Sequence, residues 1–84
     1  MARKPIKIDL TDAIVVDSKE IKQVEMRVPK VKDLKAVAHI NDEVERESML
    51  ISNLTGLNVT PQEVEEWDAS SYMQLVGALR AFLS

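Results

Sequence analysis

The chain has 84 residues, a mass of 9.5 kDa and a formal net charge of −3, with 45% hydrophobic and 30% charged residues. A chain of this length and composition is expected to fold as one globular domain, 1–84. The absence of cysteine excludes disulfides and thiol catalysis, and the acidic balance argues against general binding to the nucleic acid backbone.

The first third of the chain predicts a β-hairpin. Residues 1–4 are expected to be a flexible basic N-terminus. Apolar residues then alternate with polar ones in two segments, about 5–16 and 20–28, separated by a polar turn at 17–20. The apolar set is Ile6, Ile8, Leu10, Ile14, Val15 and Val16 in the first strand, with a bulge or kink expected at 11–13, and Val24, Met26 and Val28 in the second. One face of this hairpin is apolar and needs a cover, because an isolated hairpin is marginally stable.

Pro29 ends the strand pattern, and the period changes from two to 3.6. Three to four helices are predicted, at about 31–40, 42–55, 61–66 and 69–83. Asn41 or Asp42 is suited to cap the second helix, Gly56 to end it, and Thr60 to start the third with a capping box to Glu63. The apolar stripes are Val31, Leu34, Val37 and Ala38; Val44, Met49, Leu50, Ile51 and Leu54; and Tyr72, Leu75, Val76, Leu79, Phe82 and Leu83. Strands followed by segregated helices indicate an α+β fold.

The side chains needed for catalysis are scarce. His39 is the only histidine, and a structural or surface position is the favoured interpretation, because a general base also needs a nucleophile and an orienting group. The acidic runs 42–47 and 63–68 lack the spacing of a calcium loop, and Gly56 and Gly77 form no phosphate-binding loop. We therefore expect no enzyme activity, no metal and no cofactor, and no apolar run is long enough to predict a membrane span.

Two features leave a choice between interpretations. The basic start, Arg3, Lys4 and Lys7, suggests contact with nucleic acid, but a solvated terminus is favoured because no aromatic residue is interleaved with it. Trp67 is either part of the core or an anchor for a partner, with the core favoured. The hairpin and the last helix carry more large apolar side chains than one short core obviously needs. This suggests that some of them form a surface that binds a partner.

Several segments resemble one family in their order and spacing. They are Met26-Arg27-Val28-Pro29, Val31-Lys32-Asp33-Leu34, Leu54-Thr55-Gly56-Leu57, Pro61-Gln62-Glu63-Val64 and the ending from Leu75 to Leu83. In these features the chain resembles the small tail assembly chaperones of long-tailed phages, in particular those of Mu-like and P2-like contractile-tailed phages and prophages. It departs from them where Asp17-Ser18-Lys19-Glu20 replaces a turn that often contains glycine, and where Ser70-Ser71 replaces a charged helix opening.

The resemblance implies a protein that coats the helical tape measure protein in the host cytoplasm, keeps it soluble and is absent from the finished virion. The tail tube protein and further copies of the chain are additional expected partners. On this basis we expect partner contacts from Leu75, Leu79, Phe82, Tyr72 and Trp67. The alternative is a small regulatory protein, an antitoxin or transcriptional adaptor, that binds DNA or a partner protein. Apart from that alternative, we expect neither nucleic acid nor a membrane to be a partner.

Overall fold

The computed structural model describes residues 4–83. Two strands, β1 (Ile6–Val16) and β2 (Lys19–Met26), precede four helices, α1 (Val31–Val37), α2 (Glu43–Thr55), α3 (Pro61–Glu65) and α4 (Ala69–Leu83). The predicted α+β organisation is therefore confirmed, with an N-terminal hairpin and four helices after it. Residues 1–3, which carry most of the predicted flexible N-terminus, lie outside the described part of the chain.

The two strands form an antiparallel hairpin joined by Asp17 and Ser18. Both turn residues have positive φ, 55° and 66°, which is the geometry of a two-residue type I′ turn. This turn matches the right-handed twist of the strands and normally favours asparagine and glycine. Asp17 and Ser18 thus adopt the left-handed backbone conformation that glycine favours, although neither of them is a glycine.

A large bulge interrupts β1, as the sequence predicted. Asp9 pairs with Gln23 and Ile14 pairs with Ile21, so residues 10–13 stand opposite the single residue Lys22. The bulge leaves backbone groups of β1 without a strand partner, and such groups need hydrogen bonds from elsewhere.

Side chains of α4 supply those hydrogen bonds. The Thr11 amide donates to Gln74 Oε1 at 2.9 Å, and Gln74 Nε2 donates to the Asp9 carbonyl at 3.1 Å. Ser71 Oγ donates to the Asp12 carbonyl, and Ser70 Oγ donates to Asp12 Oδ2 at 2.8 Å. The two serines at the start of α4, where the resembled family often has charged residues, therefore attach this helix to the bulge.

The predicted helix signals of the middle of the chain are confirmed. Asp42 Oδ1 accepts a hydrogen bond from the Glu45 amide at 2.9 Å and caps α2, which ends at Gly56 with φ 71°. Thr60 and Glu63 form the capping box of α3, and Pro61 is its first residue. These local bonds satisfy donors at the helix starts, so the helix boundaries here follow from short sequence motifs.

The core lies between the inner face of the hairpin and the helices α2 and α4. The core residues of the two strands occupy alternate positions along each strand, and those of the helices recur every three or four positions. The most completely buried large side chains are Ile14, Met26, Val37, Ile51, Leu75, Val76 and Leu79. The hairpin face that needed a cover is thus covered by the chain's own helices.

The helix α1 is present where it was predicted, but its predicted length and its predicted buried face were wrong. It spans seven residues rather than ten, and of its expected apolar stripe only Val37 is buried, whereas Val31 and Leu34 are 76% and 39% exposed. Asp33, placed outside the stripe, is buried instead. The reason is an ion pair: Arg27 donates two hydrogen bonds to the Asp33 carboxylate, Nη1 to Oδ2 at 2.9 Å and Nη2 to Oδ1 at 2.8 Å. This pair fixes the rotation of the short helix and turns its apolar residues outward.

Smaller corrections concern the ends of the other stripes. Val28 lies beyond β2, which ends at Met26, and Ile6 and Val44 are 36% and 48% exposed although both were expected in apolar faces. All three lie at or beyond the end of an element, where the core no longer extends. The periodicity of the sequence shows which positions of an element share an apolar face. It does not show how far along that face another element packs against it.

Candidate functional site

An apolar groove opens where α1, α2 and α4 meet. Val37, Leu50 and Leu79 are buried and form its floor, and Leu34 and Leu83 stand at its edges, 39% and 49% exposed. The groove has a volume of about 340 Å³. We call it the leucine groove, and its five apolar residues come from three helices that the sequence separates by up to 49 positions.

Charged side chains border the leucine groove and pair with one another. Arg80 Nη2 lies 3.2 Å from Glu43 Oε1 and 3.4 Å from Glu47 Oε2. Arg46 also lines the groove, and its Nη1 donates to the Ile40 carbonyl at 2.9 Å. With two glutamates and two arginines the border carries no net charge, so it neither attracts nor repels a charged partner strongly.

Tyr72 links this border to the interior. Its hydroxyl donates to Glu47 Oε1 at 3.3 Å, while the other oxygen of Glu47 faces Arg80. Burial, together with the nearby Glu47 carboxylate, raises the pKa of Tyr72 to about 12. The hydroxyl therefore stays protonated near neutral pH and acts as a hydrogen-bond donor that orients Glu47.

The ion pair of α1 determines one wall of the groove. The Asp33 carboxylate accepts from Arg27 and, at 2.8 Å, from the Lys30 amide at the start of α1. The hydrogen bonds from Arg27 lower the pKa of Asp33 from 3.8 to about 2, against an opposing effect of burial. Because α1 has only Val37 buried in the core, this pair is the main polar constraint that keeps Leu34 beside the groove.

The five residues predicted to contact a partner occupy different positions. Leu75, Leu79 and Trp67 are buried, while Tyr72 and Phe82 are half-buried against the core. Leu79 forms part of the groove floor, and Tyr72 contacts its border through Glu47. Their role in partner binding stays a prediction; in the folded chain Leu79 and Tyr72 support the surface on which Leu34 and Leu83 are accessible, whereas Trp67 lies at a different hollow.

Only Leu79 of the five apolar groove residues was predicted as a partner contact, and the sequence did not single out Leu34, Val37, Leu50 or Leu83. All four appear only as members of predicted apolar stripes. One feature of the sequence indicated that Leu34 could be exposed. It lies between the charged residues Asp33 and Lys35 in a helix that is too short to bury two faces. No pattern in the sequence indicated that the first, second and fourth helices converge.

A second hollow of about 510 Å³ lies between the hairpin tip and the α3–α4 connection. Trp67 contributes to it but is only 9% exposed, and its Nε1 donates to the Val15 carbonyl at 3.2 Å, so the core interpretation of Trp67 is confirmed. The remaining lining includes Asp17, Glu63, Glu66 and Asp68. This hollow is therefore acidic, in contrast to the neutral border of the leucine groove.

Neither a metal site nor a catalytic arrangement is assembled in residues 4–83. Over that range no group of three or more histidine, aspartate or glutamate residues is placed to hold a metal ion. His39 is exposed, consistent with the surface interpretation. The expectations of no metal, no cofactor and no enzyme activity stay predictions, and what the geometry offers chemically is an apolar binding surface.

Comparison with known protein families identifies a match over most of the chain. The sequence profile of the family described as phage tail assembly chaperone proteins, E, or 41 or 14, matches residues 7–84. No curated protein and no solved structure shows a significant match. In the described part of the chain, no helix is both long enough and apolar enough to cross a membrane.

Proposed function

The chain belongs to the family of phage tail assembly chaperone proteins, and from this premise we propose that it binds the tape measure protein and keeps it soluble while the tail tube assembles. The family match covers nearly the whole chain and is the observation that carries the proposal. It favours a chaperone over the alternative of a DNA-binding regulatory protein. The resemblance to the Mu-like and P2-like group stays a prediction.

The leucine groove supplies a physical means of binding such a client. A long helical protein exposes apolar side chains before the tube encloses it, and an amphipathic helix binds by placing that face in an apolar groove. Leu34 and Leu83 are accessible at the groove edges, and the paired charges around them leave an apolar surface of low net charge. We propose that anchors spaced i, i+3 or i+4 on the client contact these two leucines.

The same proposal includes the setting in which the chain acts. It works in the host cytoplasm, and it leaves the client as tail tube subunits assemble, so that it is absent from the virion. The formal charge of −3 supports solubility of a complex that would otherwise expose apolar helices. Contacts with the tail tube protein and with further copies of the chain are part of the proposal.

Co-expression with the tape measure protein of the same phage tests this function. The expected result is that the tape measure protein becomes soluble and co-purifies with the chain, whereas it is insoluble when expressed alone. An unchanged insoluble fraction would contradict the proposal. Salt-sensitive binding of the purified chain to duplex DNA, combined with no effect on the tape measure protein, would instead support the regulatory alternative.

A further inference from the structure

A second apolar surface lies on the side of the molecule formed by α2, α3 and the α1–α2 connection. It contains a hollow of about 650 Å³ and a smaller one of about 350 Å³. The two hollows adjoin because they share four lining residues, Asp42, Glu45, Pro61 and Gln62. We call the joined surface the α3 groove. Its apolar lining reaches solvent, since Ile40 and Met49 are half-buried and Val44 is 48% exposed.

The acidic residues of the α3 groove have no cation beside them. Asp42, Glu45 and Glu65 are exposed, and no lysine or arginine in the described range 4–83 lines either hollow. The ion pairs found in that range hold other carboxylates, those of Asp33, Glu43 and Glu47. Three formal negative charges therefore face the groove without neutralisation, whereas the glutamates of the leucine groove are paired with Arg80.

Charge is distributed unevenly over the whole chain. The α3 groove and the acidic hollow beside Trp67 both adjoin α3, and together they are lined by seven of the fourteen acidic residues and by none of the eleven basic ones. Seven acidic and eleven basic residues remain elsewhere, which is a formal charge of +4. The region around α3 thus has a negative potential that the small net charge conceals, and it attracts cationic partners.

Of the two acidic surfaces, the α3 groove offers more accessible apolar area. At the hollow beside Trp67, Ile14 and Trp67 are buried in the core, and Val15 is the one large apolar lining residue that is exposed. In the α3 groove, Val44 and Met49 are both accessible. An acidic rim around apolar side chains complements a segment in which lysine or arginine surrounds an apolar residue. A metal ion does not fit, because in residues 4–83 no three acidic or histidine side chains are placed to hold one.

We propose that the α3 groove is a second docking surface, for a cationic amphipathic segment of a partner protein. An apolar side chain of that segment packs against Val44 and Met49, and its lysine or arginine side chains pair with Glu45 and Glu65. The surface is separate from the leucine groove, with which it shares only the buried Val37. The inference goes beyond the proposed function, which gives the leucine groove to an apolar client helix. Because exposed charges contribute to it, the docking is sensitive to salt.

An NMR titration of the labelled full chain with a synthetic helical peptide, leucine on one face and lysine on the other, tests the site. The expected result is that amide shifts change at Ile40, Val44, Met49 and Glu65, and that the Kd rises about tenfold between about 50 and about 300 mM salt. The same peptide with glutamate in place of each lysine should not bind there. Absence of binding at low salt, or shifts centred on Trp67 or on Leu83 in the leucine groove, would overturn the proposal.

A pair of double variants separates local pairing from general attraction to an acidic chain. Glu45→Gln combined with Glu65→Gln removes two charges from the α3 groove and should weaken binding of the lysine peptide about fivefold. Glu20→Gln combined with Glu25→Gln removes the same charge from the exposed side of the hairpin and should leave the Kd unchanged. Circular dichroism verifies that each variant is folded. Equal weakening by both pairs would overturn the proposal.

A further pair of variants tests the apolar part of the groove. Val44→Ser should weaken binding of the lysine peptide about threefold, because it removes apolar area from the contact. Met73→Ser is the matched control, since Met73 is 54% exposed on α4 and lines neither hollow. Equal binding by the two variants would contradict an apolar contact at Val44. All these variants keep the five apolar residues of the leucine groove, so solubilisation of the tape measure protein remains a separate test.

Discussion

Asp33 is the one buried carboxylate in the described part of the chain, and it is held by the guanidinium of Arg27 and by the Lys30 amide. Hydrogen bonds to charged groups stabilise a fold by roughly 1.5 to 3 kcal/mol, less where a partner is exposed as Arg27 is. From the sequence, Asp33 was predicted to lie outside the apolar stripe of its helix. The helical pattern does not show that the Arg27 guanidinium pairs with this carboxylate and allows it to be buried.

We expect Asp33→Asn to reduce the free energy of unfolding by about 1 to 2 kcal/mol at pH 7. The folded pKa of Asp33, about 2, is below the unfolded value of 3.8, so its stabilising effect is present above about pH 4 and lost as pH falls through about 2. Urea unfolding at pH 7 and at pH 2 to 3 measures this: the difference between wild type and variant should shrink in acid. Asp68→Asn, an exposed carboxylate, is the control, and an equal effect there would contradict the account.

The hairpin turn offers a second prediction at the residue scale. Ser18 has φ 66°, a region in which a side chain costs roughly 1 to 2 kcal/mol and glycine does not. Glycine also gains freedom in the unfolded chain, so the expected net gain for Ser18→Gly is about 0.5 kcal/mol. Thermal unfolding checks it. Ser18→Ala keeps the side-chain penalty and should not stabilise; a gain equal to that of glycine would show that backbone conformation is not the cause.

At the scale of elements, α4 is attached to β1 in two ways. Leu75, Val76 and Leu79 pack into the core, while Ser70, Ser71 and Gln74 hydrogen-bond the bulge of β1. The apolar half of this attachment was predictable from helical spacing. The polar half was not, because it depends on where the backbone of a distant strand is left unpaired.

Ser71→Ala is expected to reduce stability by about 1 kcal/mol, since it leaves the Asp12 carbonyl without its donor in a site where Ser71 is fully buried. Ser70→Ala should cost less than about 0.5 kcal/mol, because its bond to Asp12 is exposed to water. Chemical unfolding compares the two. Equal effects of the two substitutions would contradict the assignment of the buried serine as the structural contact.

Gln74→Ala provides a local readout of the same attachment. The Thr11 amide donates to Gln74 Oε1, so the substitution should speed hydrogen exchange at Thr11 while leaving amides in the regular part of the hairpin unchanged. Exchange is followed by NMR under native conditions. An unchanged rate at Thr11 would mean that the bulge amide is protected by some other contact.

For the whole molecule, the sequence sufficed for the element order, the hairpin, the bulge and the helix caps, because each depends on residues close together along the chain. Asp42, Gly56 and the Thr60–Glu63 pair are examples. The leucine groove depends on the rotation of α1, which the Arg27–Asp33 pair sets, and on the convergence of three helices. Both depend on tertiary contacts, which a periodic pattern does not contain. The sequence therefore predicted an apolar surface available to a partner, but it placed that surface on Leu75, Leu79 and Phe82 rather than on Leu34 and Leu83.

The proposed function requires the leucine groove to bind an apolar helix of the tape measure protein. An NMR titration of the labelled chain with a helical segment of that protein measures this binding residue by residue. The predicted result is that the amide shifts that change map to the groove residues, namely Leu34, Val37, Leu50, Leu79 and Leu83, and that Leu83→Glu abolishes them while Met73→Glu does not. Shifts centred on the acidic hollow at Trp67, or none at all, would contradict it.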